Sequence, residues 1–433
     1  MAGQGLGRSF AFLWSSTALS NLADGVLKTG APLLAVSMTR SPTLVSLVGA
    51  AATVPWLLLA LPAGAVADRA DRRRIMAVAG AGRAVVLAGA ALLGVLGWLD
   101  LWVLLAAVLA AGVAEVFADT SAQSILPMTV PSAQLTRANG RVSSAQMIGN
   151  EFAGAPVAGL LVGLAPAAVF GAPALLYAAG ALLLRGMRGT YRPIPAGTHD
   201  SPPDPPGLPA QHPARRPLRQ EIGEALRYLV AHRVLRGLAI SAGLLNLANS
   251  AYFAVFVLWV VGDGSAMGLE PAAYGLMMSA FAAGAVLGSL SSERASGVFG
   301  ESRTLMGCWL ASSLLLVVPV VVPSPWALYP VAVLWGITGA AANVLVISTR
   351  QRLIPSELLG RVNSAYRLVG MGGMPLGAAL GGVVAEFAGL PAVLLGAAGV
   401  CVAAVWLVRH ALSDRISGAL TSQAALSDIP GSS

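Results

Sequence analysis

Apolar residues in this chain run in long blocks parted by short polar clusters. Each block reaches the ~20 residues that a helix needs to cross a bilayer. Twelve blocks are distinguished, at 9–38, 43–67, 75–98, 101–126, 138–164, 167–187, 235–262, 271–295, 303–322, 326–349, 361–388 and 391–411. With the N-terminus placed in the cytoplasm, Arg40 is the only cation in an outer loop; the inner loops collect the arginines. One missed span would scramble every later loop, so this asymmetry tests the count as well as the orientation. The densest cluster, Gly64 to Met76, joins spans two and three and predicts a cytoplasmic turn.

Composition agrees with the pattern. Of the 433 residues 56% are hydrophobic and 11% charged, with mean hydropathy +0.75. A soluble domain carries about 25% charged residues. The prediction is an all-α polytopic membrane protein, of twelve transmembrane helices in two six-helix sets. The net charge of +8 reads as membrane topology and not as nucleic-acid binding, because the cations lie between spans. Lys28 is the single lysine. Cys308 and Cys401 lie in apolar blocks without metal spacing, and the four histidines lie at loop or helix-end positions. No cofactor, metal site or catalytic constellation is expected, and no phosphate-binding loop of the ATPase type occurs. The first apolar run lacks a small-residue cleavage site and is expected to remain as a span.

The expected domains are 1–190, a six-helix bundle; 191–234, a linker; 235–411, a second bundle; and 412–433, a disordered cytoplasmic tail. Pro193 to Pro217 is Pro-rich and without hydrophobic period, so it reads as an extended linker. Leu218 to Arg236 places Leu218, Ile222, Ala225, Leu226 and Leu229 on one face, as an amphipathic helix on the inner leaflet would. Pro131-Ser-Ala-Gln-Leu135-Thr-Arg137-Ala-Asn139 recurs as Pro355-Ser-Glu-Leu-Leu359-Gly-Arg361-Val-Asn363, before spans five and eleven. Such correspondence is expected of parallel repeats about an axis along the membrane normal.

Six plus six spans with Gly64-x-x-x-Asp68-Arg69-x-x-Arg72-Arg73 between the second and third resemble the major facilitator superfamily. Asp71 stands where that motif usually has glycine. This form, the Arg-x-Asn before span five and Glu224-Ala-Leu-Arg-Tyr228 before span seven resemble the drug:proton antiporter branch that contains enterobactin and macrolide exporters. The span-five antiporter motif is present in reduced form as Gly154, Pro156 and Gly159.

Two groups of residues are candidates for the work. At the loop, Asp68 is expected to accept hydrogen bonds from helix N-terminal amides, and the family resemblance implies that span eleven lies opposite, beginning near Arg361. Arg72 and Arg73 are expected to pair with carboxylates or lipid phosphates, in contacts that form in one conformation and break in the other. The alternative, that the arginines only set topology, accounts for Arg73 and Arg74. Within the spans lie Asn21, Asp24, Lys28, Arg83, Glu115, Asp119, Asn150 and Glu151, all in the first half. A charge there costs ~2.5–3.5 kcal/mol on insertion scales, so each is expected to face a cavity or a partner. Asp24 and Lys28 have the spacing of an i, i+4 pair. One carboxylate, Asp24 or Glu115 first and Glu151 third, is expected to carry protons; static interhelical bridges are the alternative. Spans of the second half are nearly free of charge, with Phe253, Phe256, Trp259 and Met277 as candidate lining and glycines at helix-contact spacing.

The reading is a monomeric transporter of a bacterial cytoplasmic membrane, with both termini inside. It exports a small organic molecule against protons, with membrane lipid as its other partner. Uptake, lipid flipping and a non-transporting sensor are the alternatives.

Overall fold

The computed structural model describes residues 6–192, 223, 227–354 and 359–427. Its helices run α1 Arg8–Met38, α2 Pro42–Ala67, α3 Arg72–Val95, α4 Leu101–Ile125, α5 Leu135–Leu164 and α6 Ala168–Leu184. The second half holds α7 Arg233–Val260, α8 Pro271–Phe299, α9 Glu301–Val321, α10 Pro325–Leu353, α11 Leu359–Ala388 and α12 Leu390–Ser427. Ten are long and apolar enough to cross a membrane. Of the other two, α6 is short, and α1 carries Asp24 and Lys28 in its middle. A lone bridge joins Val261 to Leu269 between α7 and α8, and the described residues form no strand.

Local chemistry sets the ends. Side chains of Ser41, Asp71 and Asp100 accept from the backbone amides of Leu44, Arg74 and Val103, capping α2, α3 and α4. Gly300 and Gly389, at φ +83°, make the one-residue reversals between α8 and α9 and between α11 and α12. The expected tail after residue 412 is different: α12 continues as helix to Ser427, since a formed helix gains a hydrogen bond for each added residue. The linker 193–217 and most of the amphipathic segment lie outside the described residues. Residues 227–231 are helical, and Leu229 is buried in the core of the second half, where the sequence reading put it on lipid.

The internal repeat is visible in the packing. The duplicated motif lies at the head of α5 in one copy, and in the other Leu359, Arg361 and Asn363 are helical residues of α11. In the first half α1 packs on α5 and α6, α2 on α4, and α3 on α4 and α6. In the second, α7 packs on α11 and α12, α8 on α10, and α9 on α10 and α12: the same pairs six helices on. The halves join along α2/α11 and α5/α8, which exchange under the same shift. Glycines permit the close approaches. A Cβ at Gly284 or Gly288 would meet the backbone of Val333 or Ile337 on α10, and one at Gly377 that of Leu247 on α7.

These seams lie toward one end. One core joins both halves, running from Leu33, Val45, Leu104 and Phe170 to Tyr252, Val261 and Leu394. Two separate cores occupy the end bearing the arginine-rich loops, one per half, around Met76 and Leu184 and around Leu305 and Val346. Among the described residues, the halves therefore share a core at the far end and keep separate cores at the arginine-rich end.

Candidate functional site

At the middle of the first half, Arg83 of α3 is 2% exposed. Its guanidinium pairs with Asp24 of α1 and lies 3.4 Å from Glu115 of α4. Its carbon stands 3.9 Å from the ring centroid of Tyr177 on α6. The Tyr177 hydroxyl donates to Asp24 at 2.6 Å. Four helices thus converge on one cation, held by charge, hydrogen bonds and a π face. Nε of Arg83 is left without a partner. Asp119 is one turn beyond Glu115 on α4 and half-buried.

The expected Asp24–Lys28 pair is not formed. Asp24 turns inward to Arg83, and Lys28 instead lies 3.9 Å from Glu151 of α5. The reason is energetic: an enclosed guanidinium demands an anion, whereas an i, i+4 pair stabilises a helix by only about 0.2–0.5 kcal/mol. Tyr177 was not among the sequence candidates. A tyrosine in an apolar span carries no charge to mark it, and no local spacing relates it to Asp24.

Glu151 and Asn150 belong to a π-helical turn, Ile148–Ala153, that interrupts α5. Such turns are frequent at functional sites. The turn bulges against α1, where a Cβ at Gly25 would stand 2.6 Å from the Asn150 carbonyl oxygen. Asn150 donates to Asn21 at 3.3 Å, and Asn21 to the Thr17 carbonyl at 2.8 Å. Gly154 then packs on Gly25, and Gly159 on Pro271 and Ala272 of α8. Gly275 of α8 answers against Ala155 and Pro156. The reduced motif of α5 is thus contact surface, both to α1 and across the seam.

The loop departs from expectation. Asp68 ends α2 with its side chain 76% exposed, and its ion pair is with Arg72 of the same loop, at 3.7 Å. Among the described residues, no side chain of the second half pairs with it. The Arg361 side chain lies outside the described residues. Arg72 donates to the Ala67 carbonyl at 3.2 Å and to Met128 sulfur at 3.0 Å, and Arg73 to the Met187 carbonyl. Asp71 accepts from the Tyr191 amide at 3.1 Å as well as capping α3. Arg69 is exposed, and nothing crowds Gly64.

The suggested aromatic lining is mostly interior to the second half. Phe256 and Met277 are buried, Phe253 stacks on Trp335 at 4.8 Å, and Trp259 donates to the Pro319 carbonyl. Among the described residues, no group of histidine, cysteine and carboxylates is placed to hold a metal ion.

Two six-helix halves related by a repeat, with buried charges between membrane-spanning helices, agree with the family match, which makes the chain a membrane transporter of the major facilitator superfamily. The chain belongs to the transmembrane secretion effector family, which it matches over residues 7–428. It is 24% identical over 376 residues to the uncharacterized MFS-type transporter y4rN of Sinorhizobium fredii, covering 87% of this chain and 88% of that one. It is 31% identical over 183 residues to the enterobactin exporter EntS of Escherichia coli O1:K1, spanning 41% of this chain and 40% of the exporter. Its fold is similar to that of a bacterial homologue of the iron transporter ferroportin in its inward-facing state, with TM-score 0.72, 15% identity and coverage of 94% and 99%. The nucleoside transporter NupG is similar too, with TM-score 0.70, 14% identity and coverage of 94% and 99%.

Proposed function

We propose that the protein exports a small organic molecule from the cytoplasm of a bacterium by alternating access coupled to protons, and that it acts as a monomer in the cytoplasmic membrane. The observation that carries this reading is the cluster around Arg83, where Asp24 and Glu115 of different helices share one buried cation. A carboxylate there that takes a proton loosens its hold on Arg83, so protonation and helix position are linked. The arginine-rich end is the cytoplasmic one by the charge asymmetry, and alternating access would admit the substrate from that end. Export as the direction draws support from the enterobactin exporter relative.

The test is accumulation of a panel of dyes and antibiotics in an efflux-deficient bacterial host. Cells with the native chain are compared with Glu115→Gln and Asp24→Asn cells, with and without a protonophore. Lower accumulation that the protonophore and either substitution abolish is the expected result. Accumulation that falls equally with and without the protonophore would rule out proton drive. Greater accumulation in expressing cells would make the protein an importer.

A further inference from the structure

We infer that Lys28 is a receptor for an anionic oxygen group, a carboxylate or phosphate on an apolar body, that enters from the arginine-rich end. The inference rests on the transport reading only in treating the space between the halves as the ligand path.

Lys28 and Arg83 are cations of the first-half spans, and their situations are opposite. Arg83 is enclosed and paired with Asp24 and Glu115, its Nε alone being unpartnered. The Lys28 side chain is 72% exposed, with one ion pair, to Glu151 at 3.9 Å. That is beyond hydrogen-bond range, and the structure records no hydrogen bond to its three donors. We place that exposure on the space between the halves, from the packing of the helix that bears it. The helix that bears it packs on α2, α4, α5 and α6 of its own half and meets α7 of the other. An exposed ammonium with no hydrogen bond and only a distant carboxylate can take an anion in exchange for that carboxylate.

The approach has the same sign. The first segment of α5, Leu135–Met147, lies at the arginine-rich end, with Arg137 and Arg141 exposed and no carboxylate. Trp14 of α1 donates to the Arg141 carbonyl at 3.1 Å, so this segment stands beside the helix that carries Lys28. Cations along an approach raise the local concentration of anions. The sequence adds an independent hint. Arginine fills every other cationic position, while this one keeps lysine, a compact charge with rotatable donors in place of a planar fork.

Occupation has a mechanical consequence. A ligand anion on Lys28 competes with Glu151, and Glu151 lies in the π turn. The next residue, Phe152, gives its carbonyl to Ser279 of α8 at 3.1 Å. Release of Glu151 therefore acts on a turn that is itself part of the seam between the halves.

Because Lys28 is the single lysine, it can be read chemically in the full chain. The purified protein in phosphatidylcholine nanodiscs is treated with a water-soluble acetylating ester. Modification of Lys28 and of the terminal amine is then quantified by peptide mass spectrometry. The ligands added are decanoate, decyl phosphate, decyltrimethylammonium and decanol, which share one apolar chain. The expected result is that decanoate and decyl phosphate slow acetylation of Lys28 several-fold, leaving the terminal amine unchanged, while the cation and the alcohol do not. Glu151→Gln is expected to lower the decanoate concentration needed for half-protection. Phosphatidylglycerol in the nanodisc that protects without added ligand would assign the anion to a lipid headgroup. Equal protection by all four compounds, stronger protection by the cation, or a Lys28 that resists acetylation would overturn the proposal. The assay uses no gradient, so decanoate protection in a chain that exports nothing would overturn the transport reading alone.

Discussion

Glu386, near the end of α11, accepts a hydrogen bond from the hydroxyl of Ser41, the residue that caps α2, at 2.8 Å. It also accepts from the Thr43 amide at 3.2 Å, so a carboxylate of one half completes the helix cap of the other. Beside it Arg40 donates to the carbonyls of Val261 at 3.1 Å and Asp263 at 2.8 Å. This explains the one cation that breaks the charge asymmetry of the loops: Arg40 is a strap across the closed end. Arg40→Ala and Glu386→Gln are each expected to open that end more often. Spin labels at residues 37 and 266 report it as a growing long-distance population in pulsed electron resonance. An unchanged distribution in the double variant would remove the strap from the gating scheme.

Breaking the buried Arg83 pair is expected to be the most damaging change in the first half. Removing one partner of a buried ion pair costs about 3–5 kcal/mol, because the other is left uncompensated. Arg83→Ala therefore strands Asp24. Tyr177→Phe keeps the ring against Arg83 and loses only the hydrogen bond to Asp24. A hydrogen bond to a charged group contributes about 1.5–3 kcal/mol, so its cost is the smaller. Thermal unfolding in detergent should rank native above Tyr177→Phe above Arg83→Ala; a Tyr177→Phe midpoint equal to native would mean that the hydroxyl is dispensable.

Much of this was legible beforehand, and what was missed has a common cause. Blocks of apolar residues mark spans because lipid demands them over a fixed length. The Arg-x-Asn repeat marked the start of α5 because helix starts obey local rules. Asp24, Lys28, Arg83, Glu115 and Glu151 were identifiable as candidates by their insertion cost alone. Their partners were not. Asp24 chose an arginine 59 positions away over a lysine one turn away, and Asp68 pairs with Arg72 four positions on. Pairing depends on which helices meet and in which conformation, and no local spacing encodes either.

The glycines fall into two classes with different expected effects. Gly284 and Gly288 pack within the second half, whereas Gly159 and Gly275 pack across the α5/α8 seam. Overpacking costs typically about 1–3 kcal/mol. Gly284→Ala should lower the unfolding temperature. Gly159→Ala and Gly275→Ala should act mainly on the spacing of the halves, lengthening the 37–266 distance with the smaller loss of unfolding temperature. If all three lower it equally and none moves the distance, the seam is no more mobile than the interior of a half.

At the loop, Asp68 and Asp71 should separate gating from stability. Asp68 is exposed, and its pair with Arg72 is of the surface kind. Asp68→Asn should unfold at the native temperature yet slow efflux, since its work is done when the arginine-rich end closes. Asp71 caps α3 and binds the Tyr191 amide. Loss of a helix cap costs about 0.5–2 kcal/mol, so Asp71→Ala should lower the unfolding temperature. Full efflux from Asp68→Asn would leave the loop with a role in topology alone.

Glu115 and Asp24 should differ in the same way, although both touch Arg83. Asp24 is the closer partner, 13% exposed at its side chain and bound also by Tyr177. Glu115 is 30% exposed and meets Arg83 only at 3.4 Å. Asp24 is then the fixed counter-ion, and Glu115 the carboxylate that can take a proton while Arg83 keeps an anion. Glu115→Gln should fold as the native chain does and lose the effect of a protonophore on efflux. Asp24→Asn should lose stability and efflux together, because Glu115 at its distance replaces only part of the missing charge. The measurement pairs unfolding temperature with protonophore-sensitive efflux for both variants. Glu115→Gln with full protonophore-sensitive efflux would move the proton to Asp119 or Glu151, the other half-exposed acids of the site.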